Sequence, residues 1–200
     1  VKNGIGPTVY HETVGTVTSA GVGPVDAFST TLYSGTGAAQ SIGNGIDLST
    51  DGGLVWTKAT DSTYSHTLID TENGGDLYLY SNDTRAHTDP SSVYITAFNT
   101  NGYSIGTANE LNNSTTDYVS WTFKEESKFF DIVTYTGTGS AQTVSHNLGT
   151  TVGCLIIKRT DSASSDGWIV YHDGFSKGVA PKIAFLNSTD AAFQANSTYL

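Results

Sequence analysis

The chain contains one stretch of sequence twice, about one hundred residues apart. Residues 28–42 and 130–144 share seven identical positions out of fifteen at an offset of 102, and residues 53–62 align with residues 153–162 at an offset of 100. A repeating unit of this length is the size of a small domain and is too long for one rung of a solenoid. The chain is therefore expected to hold two tandem copies of one module.

The composition favours short strands over long helices. Glycine contributes 22 residues, 37% of the chain is hydrophobic and only 14% is charged. Glycine, serine, threonine and asparagine are poor helix formers, whereas strands joined by tight turns accommodate them. Apolar and β-branched segments recur at intervals of about ten residues with turn signals between them, which is typical of a β-sandwich. We predict an all-β fold made of two tandem antiparallel sandwich-like modules.

Thirteen segments of the two modules, and one segment before them, are predicted as strands. In the first module these are residues 30–33, 40–42, 54–58, 67–69, 77–80, 93–98, 103–105 and 117–123, with a turn at Asn101-Gly102. In the second they are residues 131–135, 142–144, 154–158, 168–171 and 182–186, and residues 8–14 form one more strand near the start. Residues 117–123 alternate, and the face carrying Val119, Trp121 and Phe123 is expected to lie on the core.

The repeat also predicts the boundaries. Residues 1–27 are interpreted as a lead-in strand and linker, residues 28–127 as the first module and residues 128–200 as the second. The second module is incomplete at its C-terminal end, because it lacks counterparts of the strands at 93–98, 103–105 and 117–123. Either the polypeptide continues or a neighbouring chain donates the missing strands, since open sheet edges invite pairing.

No pattern of catalytic or metal-binding residues emerges, so we predict no enzyme, no cofactor and no metal. The five histidines form no zinc-binding pair, and Cys154 is the single cysteine. Its alignment with Leu54 predicts a small buried hydrophobic residue. The oxygen-rich segment 161–167 lacks carboxylates at the third and fifth positions that a calcium loop needs, which favours a solvated loop over a cation site.

Trp168, Tyr171 and His172 are the residues with the strongest signal for a binding surface. Their rings could stack on a sugar, as aromatic side chains of lectins do. The alternative is that Trp168 alternates along a strand and belongs to the core.

The charge of the chain constrains its partners. A net charge of −10 with only nine lysines and arginines argues against nucleic-acid binding. No apolar run reaches the length of about 18 residues that a membrane helix needs, so membrane insertion is not expected.

Ordered motifs along the chain resemble a known module. In the second copy they are FDIVTYTGTG (130–139), VSHNLG (144–149), LIIKRTD (155–161) and GWIVYH (167–172). The first copy carries LVWTK (54–58) and NSTTDYVSWTFK (113–124), although Trp56-Thr57 replaces the usual aliphatic pair before the lysine. Over residues 28–200 the chain is similar to a repeated, uncharacterised β-rich module of tail-fibre-like and other virion proteins of tailed bacteriophages, particularly marine ones.

The resemblance implies a structural component of a virion, exposed as a fibre or appendage that contacts the host surface. It implies assembly in the host cytoplasm, and the expected partners are other virion proteins, further copies of the chain and a host-surface glycan. A capsid-decorating or tail-associated packing protein is the alternative within virions, and a secreted bacterial carbohydrate-binding module is the alternative outside them. The resemblance carries no catalytic residue over to this sequence.

Overall fold

The computed structural model describes residues 24–87, 93–161, 167–175, 182–189 and 194–195. In this part of the chain the structure is almost entirely β, and every strand pair is antiparallel, as the sequence predicts. The helices are two single turns, α1 (Pro24–Ala27) and α2 (Asn109–Asn112), with a 3₁₀ turn at Asp173–Phe175. The strands predicted at 40–42, 67–69 and 103–105 are present with nearly the same bounds.

The first copy of the repeat forms two sheets packed face to face. Its strands are β1 (Phe28–Ser34), β2 (Gln40–Ile42), β3 (Gly53–Ala59), β4 (Thr67–Asp70), β5 (Leu79–Tyr80), β6 (Ile95–Asn99), β7 (Gly102–Ile105) and β8 (Asp117–Lys124). The large sheet has the order β1-β8-β3-β4-β5 and the small sheet the order β2-β7-β6. β8 is thus central in its sheet, hydrogen-bonded to β1 on one side and to β3 on the other.

The core of the first copy lies between these two sheets. Along β3, buried and half-buried residues alternate strictly, as expected for a strand with one face on a core. Val55 and Ile69 of the large sheet meet Ile42, Tyr103 and Ile105 of the small sheet in one buried cluster. The packing of two inner faces makes this copy sandwich-like.

β8 turns the opposite face to the core from the one that we predicted. The three fully buried residues are the polar ones, Tyr118, Ser120 and Thr122, while the apolar residues between them are only half-buried. The Tyr118 hydroxyl donates a hydrogen bond to Asn109 O at 2.5 Å, and Asn44 Nδ2 donates one to Thr122 Oγ1 at 2.8 Å. The prediction was wrong because the small sheet covers this face, where partners from other elements bond to Tyr118 and Thr122, while Ser120 Oγ is buried without a partner among the described residues.

The turn at Asn101-Gly102 is formed as predicted. A substitution at Gly102 tests how much its backbone conformation contributes to stability. Gly102 has φ +91°, and a Cβ at this position would overlap the carbonyl of Ile42 on the neighbouring strand β2. We expect Gly102→Ala to lower the free energy of unfolding by about 3 kcal/mol, because both the strained φ and the overlap with backbone oppose the native turn. Urea unfolding followed by circular dichroism measures the loss. Gly45 has a similar φ of +84°, but a Cβ there would meet no other atom. The stability lost in Gly45→Ala therefore measures the backbone strain alone.

The second copy reproduces part of the large sheet with the same strand order. Its strands β9 (Cys154–Ile157), β10 (Ile169–His172), β11 (Lys182–Phe185) and β12 (Gln194–Ala195) form one sheet in the order β12-β11-β10-β9. Val55 pairs with Ile69 in the β3–β4 hairpin, and Leu155, the counterpart of Val55, pairs with Tyr171 in the β9–β10 hairpin. β11 occupies the position of β5, so β9-β10-β11 corresponds to β3-β4-β5.

Two strands predicted in the second copy are absent. Residues 131–135 and 142–144 belong to no strand, although their counterparts in the first copy are β1 and β2. β1 pairs with β8 and β2 pairs with β7, and no counterpart of β7 or β8 exists among the described residues of the second copy. These predictions were wrong because a strand needs a partner for its backbone hydrogen bonds, however suitable its sequence.

The same difference explains Cys154, which is exposed and not buried as predicted. Its counterpart Leu54 is half-buried on β3, which has β8 beside it, whereas β9 is an edge strand. The predicted lead-in strand at 8–14 and most of the segment 161–167 lie outside the described residues. The division into modules at 28–127 and 128–200 stays a prediction.

Candidate functional site

Trp168, the first of the predicted binding residues, lies in the interior between the two copies. It is only 5% exposed and packs against Leu68 and Leu79 of the first copy. Its Nε1 donates hydrogen bonds to Tyr80 O at 2.9 Å and to Asp83 O at 3.1 Å. The ring therefore has no free face for a sugar, and its role in this arrangement is to hold the copies together.

Tyr171 and His172 do not share a surface with it. Tyr171 is half-buried on β10 between Leu155 and Ile183, whereas His172 is exposed and points to the other face of the sheet. His172 Nδ1 accepts a hydrogen bond from the backbone N–H of Gly174 at 2.9 Å, and its ring centroid lies 5.5 Å from that of Phe175. The three predicted residues therefore form no single binding surface, and only the His172 ring is open to solvent.

An apolar surface that the sequence analysis missed lies on the outer face of the large sheet. We call Leu32, Val119 and Trp121 the outer strip. Leu32 is 75% exposed and lies directly opposite Val119 in the register of β1 and β8, and Trp121 follows on the same face of β8. The Trp121 ring meets the Trp56 ring edge to face, with 6.2 Å between centroids. Leu32 is the most exposed large hydrophobic residue described, which makes the outer strip the best candidate for contact with a partner.

The remainder of the same sheet face is covered by the second copy. Trp168 packs on its β4–β5 side, and Phe129 and Phe130 lie against Phe123, with ring centroids 6.5 and 5.3 Å away. The outer strip is thus the part of an apolar face that the second copy leaves open. A signal for it existed in the repeat: Tyr33 is identical in both copies and points to the core, so its neighbour Leu32 has to point outward.

A group of carboxylates surrounds the junction between the copies. Burial raises the pKa of Glu125 to about 7, and the nearby carboxylates of Glu72, Asp131 and Asp70 raise it further by repulsion. One of its oxygens, Oε1, is buried without a hydrogen-bond partner among the described residues. The charged form of Glu125 is therefore disfavoured in the folded protein.

This shift predicts a pH dependence of stability. The folded pKa of Glu125 is about 7 and lies above the ordinary value of 4.5, so the folded state binds more protons than the unfolded state between these two values. Stability attributable to Glu125 is therefore complete below about pH 4.5 and is lost as the pH rises through about 7. We expect Glu125→Gln to gain stability relative to the parent chain across this interval. Urea unfolding at a series of pH values measures the difference.

A matched variant separates the repulsion from the burial. Glu72→Gln removes one neighbouring carboxylate and should lower the pKa of Glu125, so that part of the pH dependence disappears. A difference between Glu125→Gln and the parent chain that stays constant from pH 4 to pH 8 would contradict the assignment.

The described ranges hold histidines, carboxylates and one thiol whose arrangement bears on possible chemistry. No group of three or more histidine, cysteine, aspartate or glutamate residues in them is arranged to hold a metal ion. Burial and the nearby carboxylate of Asp173 raise the pKa of the Cys154 thiol, which disfavours the reactive thiolate. None of the helices in these ranges has the length and apolar character needed to span a membrane.

Comparison with known proteins assigns the chain to a family. No curated protein and no solved structure matches the chain. A family model described as a domain of unknown function (DUF7483) matches residues 23–200, a range that includes both copies of the repeat and the contacts of Trp168 between them. Because this match covers most of the sequence, the chain belongs to the DUF7483 family.

Proposed function

We propose that the chain is a structural component of a bacteriophage virion, exposed as part of a fibre or appendage that contacts the host surface. The observation that carries this proposal is that one sequence segment occurs twice within 200 residues and that both copies form antiparallel sheets with a matching strand order. Tandem copies of a β-rich module build extended particles and present the same surface repeatedly. The resemblance of residues 28–200 to modules of tail-fibre-like proteins supports the same role.

The contact between the copies supports an architectural function. Trp168 reaches from the second copy onto the outer face of the large sheet and hydrogen-bonds to backbone carbonyls of the first. Because the apolar packing of the ring is combined with two directional hydrogen bonds, these contacts favour one relative placement of the copies. Such an arrangement suits a rod or knob whose modules follow one another in a regular way.

In the proposed contact with the host, each module binds weakly, and several linked modules together bind more tightly. Linking several modules turns later binding events into intramolecular ones, so avidity exceeds the affinity of a single site. The outer strip supplies an exposed apolar and aromatic surface of the kind that stacks on sugar rings. The net charge of −10 keeps the chain from adhering to nucleic acid during assembly in the host cytoplasm.

The place in the virion is tested by immunogold electron microscopy. An antibody raised against the purified chain is applied to purified particles of a phage that carries the gene. Label along a fibre or other tail appendage is the expected result. Label distributed over the capsid would indicate decoration, and particles without label would overturn the virion assignment.

The contact with the host is tested with single and multivalent forms of the chain. Biotinylated chain on tetrameric streptavidin should bind intact host cells, whereas the free chain should bind weakly. Leu32→Ser should reduce binding of the tetramer at least tenfold, because it removes the most exposed part of the outer strip. Leu186→Ser, an exposed leucine outside the strip, is the matched control and should leave binding unchanged. Equal binding by Leu32→Ser and the control would exclude the outer strip as the contact surface.

A further inference from the structure

The second copy has an open position where the first copy has its central strand. In the first copy β3 is hydrogen-bonded to β4 on one side and to β8 on the other. β9 is the counterpart of β3 and pairs antiparallel with β10, which holds the position of β4. In the described part of the chain β9 ends its sheet, so its second edge is open at the position of β8.

The other neighbour of β8 is also present in the second copy, and its turn is already formed. Thr36 and Thr138 each donate a hydrogen bond to the carbonyl two residues ahead, and Gln40 and Gln142 each donate to the carbonyl six residues back, at 3.2 Å in both copies. The glycines of the two turns have φ of +70° and +74°. Residues 136–142 therefore keep the local geometry of the turn that follows β1, and residues 130–135 before it have the sequence of β1 without a paired strand.

Side chains that are half-buried in the first copy are exposed at these positions. Tyr135 is 50% exposed, whereas its counterpart Tyr33 belongs to the core and stacks on Tyr118 of β8 with 5.3 Å between centroids. Ile156 on β9 is 46% exposed, while its counterpart Trp56 is half-buried beside Trp121 of β8. The apolar surface of the second copy is thus open on both sides of the vacant strand position.

The first copy shows what fits such a position. Asn112 Oδ1 accepts hydrogen bonds from Thr36 N and Gln40 Nε2, both at 2.8 Å, and the following β8 pairs along seven residues with β1. We propose that the second copy binds a peptide strand from outside residues 1–200 with the pattern of residues 106–124, which pairs with the open edge of β9 and with residues 130–136. This inference stands independently of the proposed function.

The occupant has a defined chemistry. It carries an asparagine that bonds to the turn at Thr138 and Gln142, and then a strand with tyrosine, serine and threonine on one face and apolar residues on the other. The β8 strand of a second copy of this chain does not meet the requirement, because both of its edges are already paired within its own sheet. The strand is therefore expected from another polypeptide segment, in the manner of strand addition to an open sheet edge.

A synthetic peptide with the sequence of residues 106–125 tests the proposal on the intact chain. We expect saturable binding by fluorescence anisotropy, together with slower amide hydrogen exchange at residues 131–136 and 154–157. The control peptide has the same composition, but residues 118–123 read Val-Tyr-Trp-Ser-Phe-Thr, which exchanges the two faces of the strand. It should bind at least tenfold more weakly.

A variant of the chain locates the binding. Tyr135→Ala removes the ring that would stack on the tyrosine of the peptide, and it should weaken binding about tenfold while circular dichroism stays unchanged, because Tyr135 is exposed. Equal binding of both peptides, or protection confined to other residues, would overturn the proposal. Absence of binding would overturn it too, as would a dimer that protects residues 154–157 without peptide.

Discussion

Replacing Trp168 with alanine is expected to lower the free energy of unfolding by about 3–5 kcal/mol, the usual cost of truncating a buried aromatic residue. The ring is 5% exposed and packs on Leu68 and Leu79, with Leu54 and Trp56 at the edge of the same cluster. Truncation would leave a cavity between the two copies of the repeat. Urea unfolding followed by far-ultraviolet circular dichroism measures the loss.

A second variant at this position separates packing from hydrogen bonding. Trp168→Phe keeps most of the ring contact but removes the N–H that donates to Tyr80 O and Asp83 O, so we expect a loss of about 1–2 kcal/mol. Hydrogen exchange should show faster opening of β4 and β5 in Trp168→Ala than in Trp168→Phe. A loss below about 1 kcal/mol in Trp168→Ala would mean that the contact does not hold the copies together.

Replacing Asn112 with alanine is expected to lower the free energy of unfolding of the first copy by about 3 kcal/mol. The side chain is fully buried, and its Oδ1 accepts hydrogen bonds from Thr36 N and Gln40 Nε2. Its Nδ2 donates to Ala38 O at 2.7 Å and to Gly106 O at 2.6 Å. Alanine would leave the buried Gly106 carbonyl without this partner, which costs more than the bond itself contributes, and would also remove three bonds to partly exposed groups.

A second variant tests the Nδ2 donor group of Asn112, which an aspartate of the same shape lacks. Asn112→Asp keeps the acceptor but turns a second oxygen toward the two carbonyls, so we expect a loss at neutral pH at least as large as that of Asn112→Ala. The loss should shrink at acidic pH, where a protonated carboxyl can donate again. Ser114→Ala, an exposed neighbour, is the control and should change stability by less than about 0.5 kcal/mol. Similar values for Asn112→Ala and the control would contradict the role assigned to the network.

Most strands of the first copy could be predicted because they carry their signals locally. Residues 40–42 and 103–105 contain the strand-favouring residues Ile42, Tyr103 and Ile105, and the Asn101-Gly102 turn is marked by its residue types. The structure confirms these elements with bounds that differ by a residue or two. Local preference and the long-range pairing agree at these positions.

The candidate surfaces were harder to predict because burial depends on what packs above a strand. The alternation of β8 showed that it has two faces, but not which face the second sheet would cover. Trp168 was considered for both a binding surface and a core, and the contact with Leu68 and Leu79 decides between them. The outer strip follows from the same arrangement, because the second copy covers only part of the sheet face.

The amino-acid sequence alone determined that this chain is β-rich, that it contains one module twice and where most strands of the first copy begin and end. These properties depend on residue type, on spacing and on comparison of the chain with itself. The tertiary structure alone decided which face of β8 is buried, why residues 131–135 remain unpaired and where Trp168 lies. The physical reason is that a strand satisfies its backbone hydrogen bonds, and hides its side chains from water, only through partners that are distant in sequence.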